Sequence, residues 1–252
     1  MRIGVTGASG MLGTALIDEL TSNHQVFATS RSKGYEKDGV QWDCFDLTNV
    51  KKLNRWLVNT EPDLIVHCAA MVNVDECENN EESAMNLHVK TTKTIANYLN
   101  QDKKKLIYIS TDSVFDGMKI NPYKEPDQVR PLNIYAVTKL LGEESVLLME
   151  NGLVLRTNII GWNVFGKVSF AEWILKSLVE SKPIALFEDV IFSPIHVSDL
   201  SLIISRIIDY KLSGLYHCAS KDYLSKYDFG IEMAKIFDLP TTNINKISID
   251  NV

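Results

Sequence analysis

The first fourteen residues, Met1-Arg-Ile-Gly-Val-Thr-Gly-Ala-Ser-Gly-Met-Leu-Gly-Thr14, decide how the chain is read. A five-residue strand runs into a turn carrying Gly7, Gly10 and Gly13, and a helix follows with Leu12, Ala15, Leu16 and Leu20 on one face. That order brings orphan backbone N–H groups and the positive end of a helix dipole up to an anion. Gly7 permits the tight turn, Gly10 lets a pyrophosphate approach the backbone, and Gly13 lets the helix pack on the strand. Ser9, Met11 and Leu12 lie between the glycines and join them as candidate dinucleotide contacts. The spacing is G-x-x-G-x-x-G rather than G-x-G-x-x-G. The motif therefore draws its weight from its setting between an apolar strand and an amphipathic helix.

Outward from this turn, Gln25-Val-Phe-Ala-Thr29 predicts a second strand that ends at Ser30-Arg-Ser32. In dinucleotide folds an acidic residue here selects NAD through the ribose 2′-hydroxyl, whereas an arginine accommodates the 2′-phosphate of NADP. The place holds Arg31 and no carboxylate, so NADP(H) is the expected cofactor, NAD(H) the alternative, and a solvated surface arginine the bland reading. Residues 40–45 form a short strand, and Thr48 is the expected N-cap of a helix carrying Val50, Leu53, Trp56 and Leu57. Asp46 and Leu47 either bound an adenine pocket or, for Asp46, merely cap that helix. Residues 62–70 are continuously apolar, as a central parallel strand should be. Their small exit residues Ala69 and Ala70 leave room for a ligand.

A helix over residues 82–100 follows, with Met85, Val89, Thr92, Ile95, Ala96 and Leu99 as its stripe. Next come a strand at 105–110, a loop at 111–133 too long for a simple connection, a helix at 135–149 and a strand at Gly152–Thr157. The alternation predicts an α/β fold, a doubly wound, Rossmann-type parallel sheet over residues 1–160, with ligands at the strand C-termini. Residues 161–252 read as a smaller substrate-binding lobe interleaved with the first domain. It has helices at 170–181, 197–209 and 226–237, an extended stretch at 183–192 and a strand at 215–218.

The bulk numbers agree with one such domain and its lobe. The 252 residues carry 26 Lys and Arg against 32 Asp and Glu, a net charge of −6, which argues against a nucleic-acid or anionic-membrane partner. No leader precedes the first strand and no apolar run reaches ~18 residues, so the expected location is cytoplasmic. Cys44, Cys68, Cys77 and Cys218 show no CxxC pair and are expected as reduced, buried small hydrophobes. His67 and Cys68 are adjacent in a strand, face opposite sides and cannot share a metal, so none is expected.

Two features carry chemistry. Tyr135-x-x-x-Lys139 opens a helix, and residues four apart share a helix face. An ammonium beside a phenol favours the phenolate and lowers its pKa from ~10, which predicts a tyrosine able to pass a proton near neutral pH. Ser110-Thr-Asp-Ser-Val-Phe-Asp-Gly117 ends the fifth strand and sets the Thr111 hydroxyl beside the same cleft.

Together Gly7, Gly10, Gly13, Thr111 and Tyr135-x-x-x-Lys139 resemble an extended short-chain dehydrogenase/reductase. Ala69-Ala-Met-Val-Asn-Val-Asp-Glu-Cys-Glu78, the stretch 110–117, Tyr123-Lys-Glu-Pro-Asp127 and Leu155-Arg-Thr157 resemble the dTDP-4-dehydrorhamnose reductase branch. The resemblance implies hydride transfer from NADPH to the 4-keto carbon of a nucleotide-linked deoxysugar. It makes Tyr135 the proton donor, Lys139 the group that tunes Tyr135 and holds the nicotinamide ribose beside it, and Thr111 a carbonyl ligand. Met71, Asp112, Ser113, Val114 and Asn158 are the implied substrate contacts, and a homodimer is compatible with it. Relatives of this branch run on past the helix at 226–237, so the resemblance implies either a shortened member or a sequence truncated at its C-terminus.

The departures are specific. The branch carries Thr-Asp-Tyr-Val-Phe where this chain has Ser113, and an aromatic soon after the sixth strand where it has Asn158 and Ile159. Phe192-Ser-Pro-Ile-His-Val-Ser-Asp199 resembles the Arg-Asp-x-x-His-Val-x-Asp segment of sugar-nucleotide epimerases without its arginine, which makes His196 structural. One rival reading is a dehydratase or epimerase, although Ser113 removes the second carboxylate that dehydratases place there. The other is a non-catalytic NADP-binding subunit that regulates another enzyme.

Overall fold

The computed structural model describes residues 1–252 apart from 33, 35, 36, 120, 167 and 252. The chain opens with β1 (Arg2–Thr6), α1 (Met11–Leu20), β2 (Gln25–Ser30), β3 (Val40–Cys44), α2 (Val50–Thr60) and β4 (Leu64–His67). Asn49, not Thr48, caps α2: its side chain accepts from Lys52 N at 3.1 Å, while Thr48 Oγ1 donates back to Asp46 at 2.7 Å. The two residue types are near-equivalent caps, and the Asp46 turn claims the threonine first.

Short helices α3 (Val74–Asn79) and α4 (Glu81–Met85) lead into a π-helical turn, Asn86–Thr91, and then α5 (Thr92–Gln101). The helix expected at 82–100 thus has a widened turn in its middle, a feature often found at functional sites. Beyond it lie β5 (Lys105–Thr111), α6 (Ile134–Leu147), β6 (Gly152–Thr157), β7 (Ile159–Ile160), α7 (Phe170–Val179), β8 (Ile184–Phe187), β9 (Ile191–Phe192) and β10 (Ile195–His196). The chain finishes with α8 (Val197–Ile207), β11 (Gly214–His217), β12 (Leu224–Ser225), α9 (Lys226–Ile236) and β13 (Ile244–Ile247).

Seven strands form one parallel sheet in the order β11-β6-β5-β4-β1-β2-β3. The chain winds outward through β2 and β3, then crosses to β4 on the other side of β1. The switch point, where such sheets bind ligands, is therefore the crevice between β1 and β4. The glycine turn leaves β1 there, and Ala69 and Ala70 follow β4. On one face Leu12, Leu16 and Leu20 of α1 pack with Leu200 and Ile204 of α8. On the other, Leu53 and Leu57 of α2 meet Ile95 and Leu99 of α5.

The second half does not stay apart from the first. Helix α8 packs on α1, and β11 completes the sheet beside β6, so residues 197–217 return to the cofactor-binding layer. The lobe is built from α7, α9 and the small pairs β8–β13 and β9–β12, around Ile174, Leu178, Leu186, Phe192, Phe229 and Met233. Strand β13 escaped the sequence reading because Ile244-Asn-Lys-Ile247 is short and half polar. The four cysteines are free thiols, but only Cys77 is fully buried; Cys44 is exposed on β3, the edge strand, against the expectation of four buried ones. Among the described residues no helix is long and apolar enough to cross a membrane.

Candidate active site

The glycine turn is built as a cradle. Gly7 has φ +64°, and a Cβ there would lie 2.7 Å from Ala69 N and Cα; at Gly13 it would lie 2.4 Å from Gly7 O. The turn is closed by Gly10 N donating to Gly7 O at 2.8 Å. Gly10 is the N-cap of α1 and offers no side chain, so nothing there competes for the N–H groups of Met11 and Leu12. Ala8 N donates to Thr29 O at 3.1 Å, tying the turn to the strand that presents Arg31 on the surface. Ser9 is half-buried at the lip. Three positions that a Cβ would fill, an uncapped helix N-terminus and an exposed arginine at the ribose end all fit a dinucleotide.

Asp46 Oδ1 accepts from Thr48 N at 2.8 Å and Thr48 Oγ1 at 2.7 Å, so Asp46 stabilises its own turn. Leu47 is buried, and its carbonyl accepts from Thr91 at 3.3 Å. Ala69 N reaches Thr6 Oγ1 at 3.4 Å, and Ala70 stays partly open at the crevice.

Thr111 ends β5, and Tyr135 and Lys139 stand on the first two turns of α6, which Asn133 caps by accepting from Ala136 N at 2.8 Å. The Thr111 side chain faces the Tyr135 hydroxyl closely enough to draw its pKa down. It also accepts from Ser113 N at 3.1 Å and reaches Ser113 Oγ at 3.1 Å. Lys139 Nζ donates to Ile109 O at 2.6 Å and lies 3.9 Å from the centre of the Tyr108 ring.

Burial pushes Tyr135 up to about 12, with the Thr111 hydroxyl pulling the other way. Burial draws Lys139 down to about 7, opposed by the Glu143 charge. The expected lowering of Tyr135 by Lys139 is therefore absent. The spacing puts both residues on one helix face, but the long lysine turns its ammonium onto a β5 carbonyl. What results is a phenol held protonated, ready to give a proton rather than take one.

A buried polar network supports this corner. Met71 N donates to His88 Nε2 at 2.9 Å, which leaves His88 Nδ1 as the donor to Thr138 Oγ1 at 2.8 Å. Thr138 in turn donates to Ile134 O at 2.7 Å, and the His88 ring meets Tyr135 edge-on, centroids 5.9 Å apart. His67 bridges Thr6 at 2.6 Å and Thr92 at 3.1 Å. Burial, reinforced by the Lys139 charge, holds both histidines down to about 3, so both are neutral. One turn beyond Lys139, Glu143 accepts from Arg156 Nη2 at 2.7 Å and from Ser110 Oγ.

Of the expected substrate contacts, Asp112 and Asn158 come together, Asn158 Nδ2 donating to Asp112 Oδ2 at 2.8 Å. Met71 and Ser113 are half-buried at the same end of the crevice. Val114 is not available: it has no exposed surface, because the short 3-10 turn Asp112–Val114 folds its side chain inward. His196 is the N-cap of α8, accepting from Ser198 N at 3.3 Å, as a structural histidine would. Sequence reasoning passed over His88 and Lys226. His88 was visible as a histidine among the apolar residues of its helix. Lys226 was visible as a cation at a helix N-terminus, where the dipole disfavours one.

A parallel sheet with a glycine cradle at its switch point and a threonine, tyrosine and lysine at the end of β5 defines a class, the extended short-chain dehydrogenases/reductases, NAD(P)-dependent oxidoreductases. Within that class the chain belongs to the family described as RmlD substrate binding domain, whose model matches residues 1–252. It is similar to a structure described as a hypothetical dTDP-4-dehydrorhamnose reductase from Sulfolobus tokodaii, with TM-score 0.86 and 31% identity over 98% of this chain and 86% of that one. It is also similar to the dTDP-4-dehydrorhamnose reductase of Bacillus anthracis in complex with NADP, with TM-score 0.85 and 28% identity over 99% of this chain and 85% of that one. Among curated proteins it is 31% identical to methionine adenosyltransferase 2 subunit beta of Bos taurus, over 98% of this chain and 75% of that protein.

Proposed function

We propose that the chain reduces the 4-keto group of a nucleotide-linked deoxysugar with NADPH. The observation that carries the reading is the meeting of Thr111, at the C-terminal end of β5, with Tyr135 and Lys139 of α6, on the crevice that the glycine cradle opens. Gly7, Gly10 and Gly13 would hold NADPH, with Arg31 at its 2′-phosphate, and the bound cofactor would supply the hydride. As the carbonyl oxygen gains charge, Tyr135 gives it a proton and Thr111 donates a hydrogen bond to it. The Tyr135 pKa of about 12 suits this direction, since the phenol is protonated at neutral pH and the alkoxide is the stronger base. Lys139, one turn further along α6 and turned onto Ile109 O, is in this reading the group that holds the nicotinamide ribose. Asp112, Ser113, Asn158 and Met71 line the sugar side. A cytoplasmic location and a homodimer belong to this reading and rest on the resemblance.

A second reading has a specific observation behind it: the likeness to methionine adenosyltransferase 2 subunit beta, over nearly the whole chain, favours an NADP-binding regulatory subunit. The dehydratase reading is weaker, because Ser113 supplies a hydroxyl bonded to Thr111 where a second carboxylate is needed. The test is to mix the protein with NADPH and dTDP-4-keto-6-deoxysugars and follow the absorbance of the reduced cofactor. Oxidation dependent on the sugar supports the reductase. Tight NADPH binding without oxidation by any nucleotide sugar refutes it and leaves the regulatory reading.

A further inference from the structure

The segment between β4 and α3, residues 68–73, has no regular structure of its own, yet Ala70 and Met71 of this segment stand at the crevice. Side chains hold it in place. Ala69 N reaches Thr6 Oγ1 at 3.4 Å, Met71 N donates to His88 Nε2 at 2.9 Å, and Cys77 Sγ of α3 donates to Met71 O at 3.3 Å. His88 is fully buried, on the π-helical turn Asn86–Thr91. Its other ring nitrogen, Nδ1, meets Thr138 Oγ1 at 2.8 Å. The Thr138 hydroxyl shares its hydrogen between Ile134 O at 2.7 Å and Tyr135 O at 3.0 Å, in the turn of α6 that carries Tyr135. The His88 and Tyr135 rings meet at 82°, centroids 5.9 Å apart.

The direction of each bond in this link is forced. A backbone N–H can only donate, so Nε2 accepts and Nδ1 carries the proton. Thr138 spends its one hydrogen on the α6 carbonyls, so it can only accept from His88. The imidazole is thus a neutral spacer in a single tautomer, with its acceptor toward the crevice segment and its donor toward α6. A further contact closes the circuit: Glu78, next to Cys77, accepts from Ile134 N at 2.7 Å. His67, by contrast, gives its two nitrogens to Thr6 and Thr92.

We infer that His88 is a positioning residue for the reduction, setting the separation between the Met71 wall of the crevice and the helix turn that presents the Tyr135 hydroxyl. This rests on the reductase reading for the step it serves, whereas the link from Met71 to Thr138 stands on its own geometry. The reacting carbonyl must lie within hydrogen-bond reach of Tyr135 while the sugar rests against the segment after β4. A shift of about 1 Å between these two walls costs on the order of 10²-fold in rate. Leucine at position 88 can neither accept from Met71 nor donate to Thr138, and glutamine can do both.

The experiment compares wild type, His88→Leu, His88→Gln, Thr138→Val and the double variant His88→Leu with Thr138→Val, each held well below its thermal midpoint. Three quantities are measured: kcat with the nucleotide sugar, NADPH affinity, and hydrogen exchange of the Met71 amide. His88→Leu is expected to lower kcat about 10- to 100-fold with NADPH affinity within about threefold, and to speed Met71 exchange at least about tenfold. His88→Gln should recover most of both. The double variant should lose less than the product of the two single losses, because both substitutions cut the same link. Full kcat in His88→Leu overturns the assignment, as does unchanged Met71 exchange, a double-variant loss equal to that product, or a His88→Gln variant that regains exchange protection but no turnover. NADPH affinity that falls in step with kcat also overturns it, in favour of a histidine that only fills the core. If wild type turns over no nucleotide sugar, the reductase reading fails by itself and Met71 exchange decides the link: faster exchange in His88→Leu that His88→Gln restores upholds it, and unchanged exchange overturns it.

Discussion

Replacing Lys139 by Met should make the protein more stable and inactive at once. Lys139 is 2% exposed, and burial lowers its pKa from 10.5 to about 7. At about 1.4 kcal/mol per pKa unit, burying this group costs on the order of 4 kcal/mol at neutral pH, against an unfolded chain in which it is hydrated and charged. Methionine fills nearly the same volume without charge. It strands Ile109 O, at about 1–3 kcal/mol, and gives up the contact with the Tyr108 ring. The expected net gain is about 1–2 kcal/mol at pH 7.

The sign follows from the lowered folded pKa. Between about pH 7 and 10.5 the unfolded chain binds more protons than the folded one, so wild-type stability climbs with pH through this window. The advantage of the variant is therefore largest at or below pH 7 and shrinks toward pH 10. Urea unfolding of both proteins at about pH 7 and pH 9.5, followed by tryptophan fluorescence, reads the difference directly, and groups common to both cancel. A variant less stable than wild type at pH 7, or an advantage that grows with pH, would refute the reasoning.

Three further outcomes are expected. Tyr135→Phe should lower kcat about 10²- to 10⁴-fold and spare NADPH affinity; equal turnover would remove Tyr135 as the proton donor. Gly13→Ala forces a Cβ to within 2.4 Å of Gly7 O, so it should cost about 1–3 kcal/mol in urea unfolding and weaken NADPH at least about tenfold; native affinity would show that the cradle is not the dinucleotide site. His67 and His88, both held down to about 3, contribute stability that is present above about pH 6.5 and lost as pH falls toward 3. His88→Leu should flatten this acid dependence while costing about 1–3 kcal/mol at pH 7 through the stranded Met71 N–H, and an unchanged acid slope would contradict the neutral-histidine account.

The amino-acid order alone determined the glycine turn, the alternation of strand and helix, and the candidate trio of Thr111, Tyr135 and Lys139. These are local matters: a glycine at positive φ, a strand period of two, and a four-residue spacing on one helix face are written in neighbouring residues. Tertiary structure decided what those residues meet. Lys139 turns to Ile109 O, thirty positions away, rather than to Tyr135. Asp46 spends its carboxylate on Thr48, and Val114 is folded out of the crevice. Helix α8 and β11 return from the second half to complete the first. His88 reaches Met71 and Thr138 only because a π turn lies in its helix, and Lys226 finds the Phe192 ring only because β9 and β12 pair. Burial and the reach of long side chains depend on segments distant in the chain. For that reason the pKa of Tyr135 and the place of Lys226 could not be read from spacing.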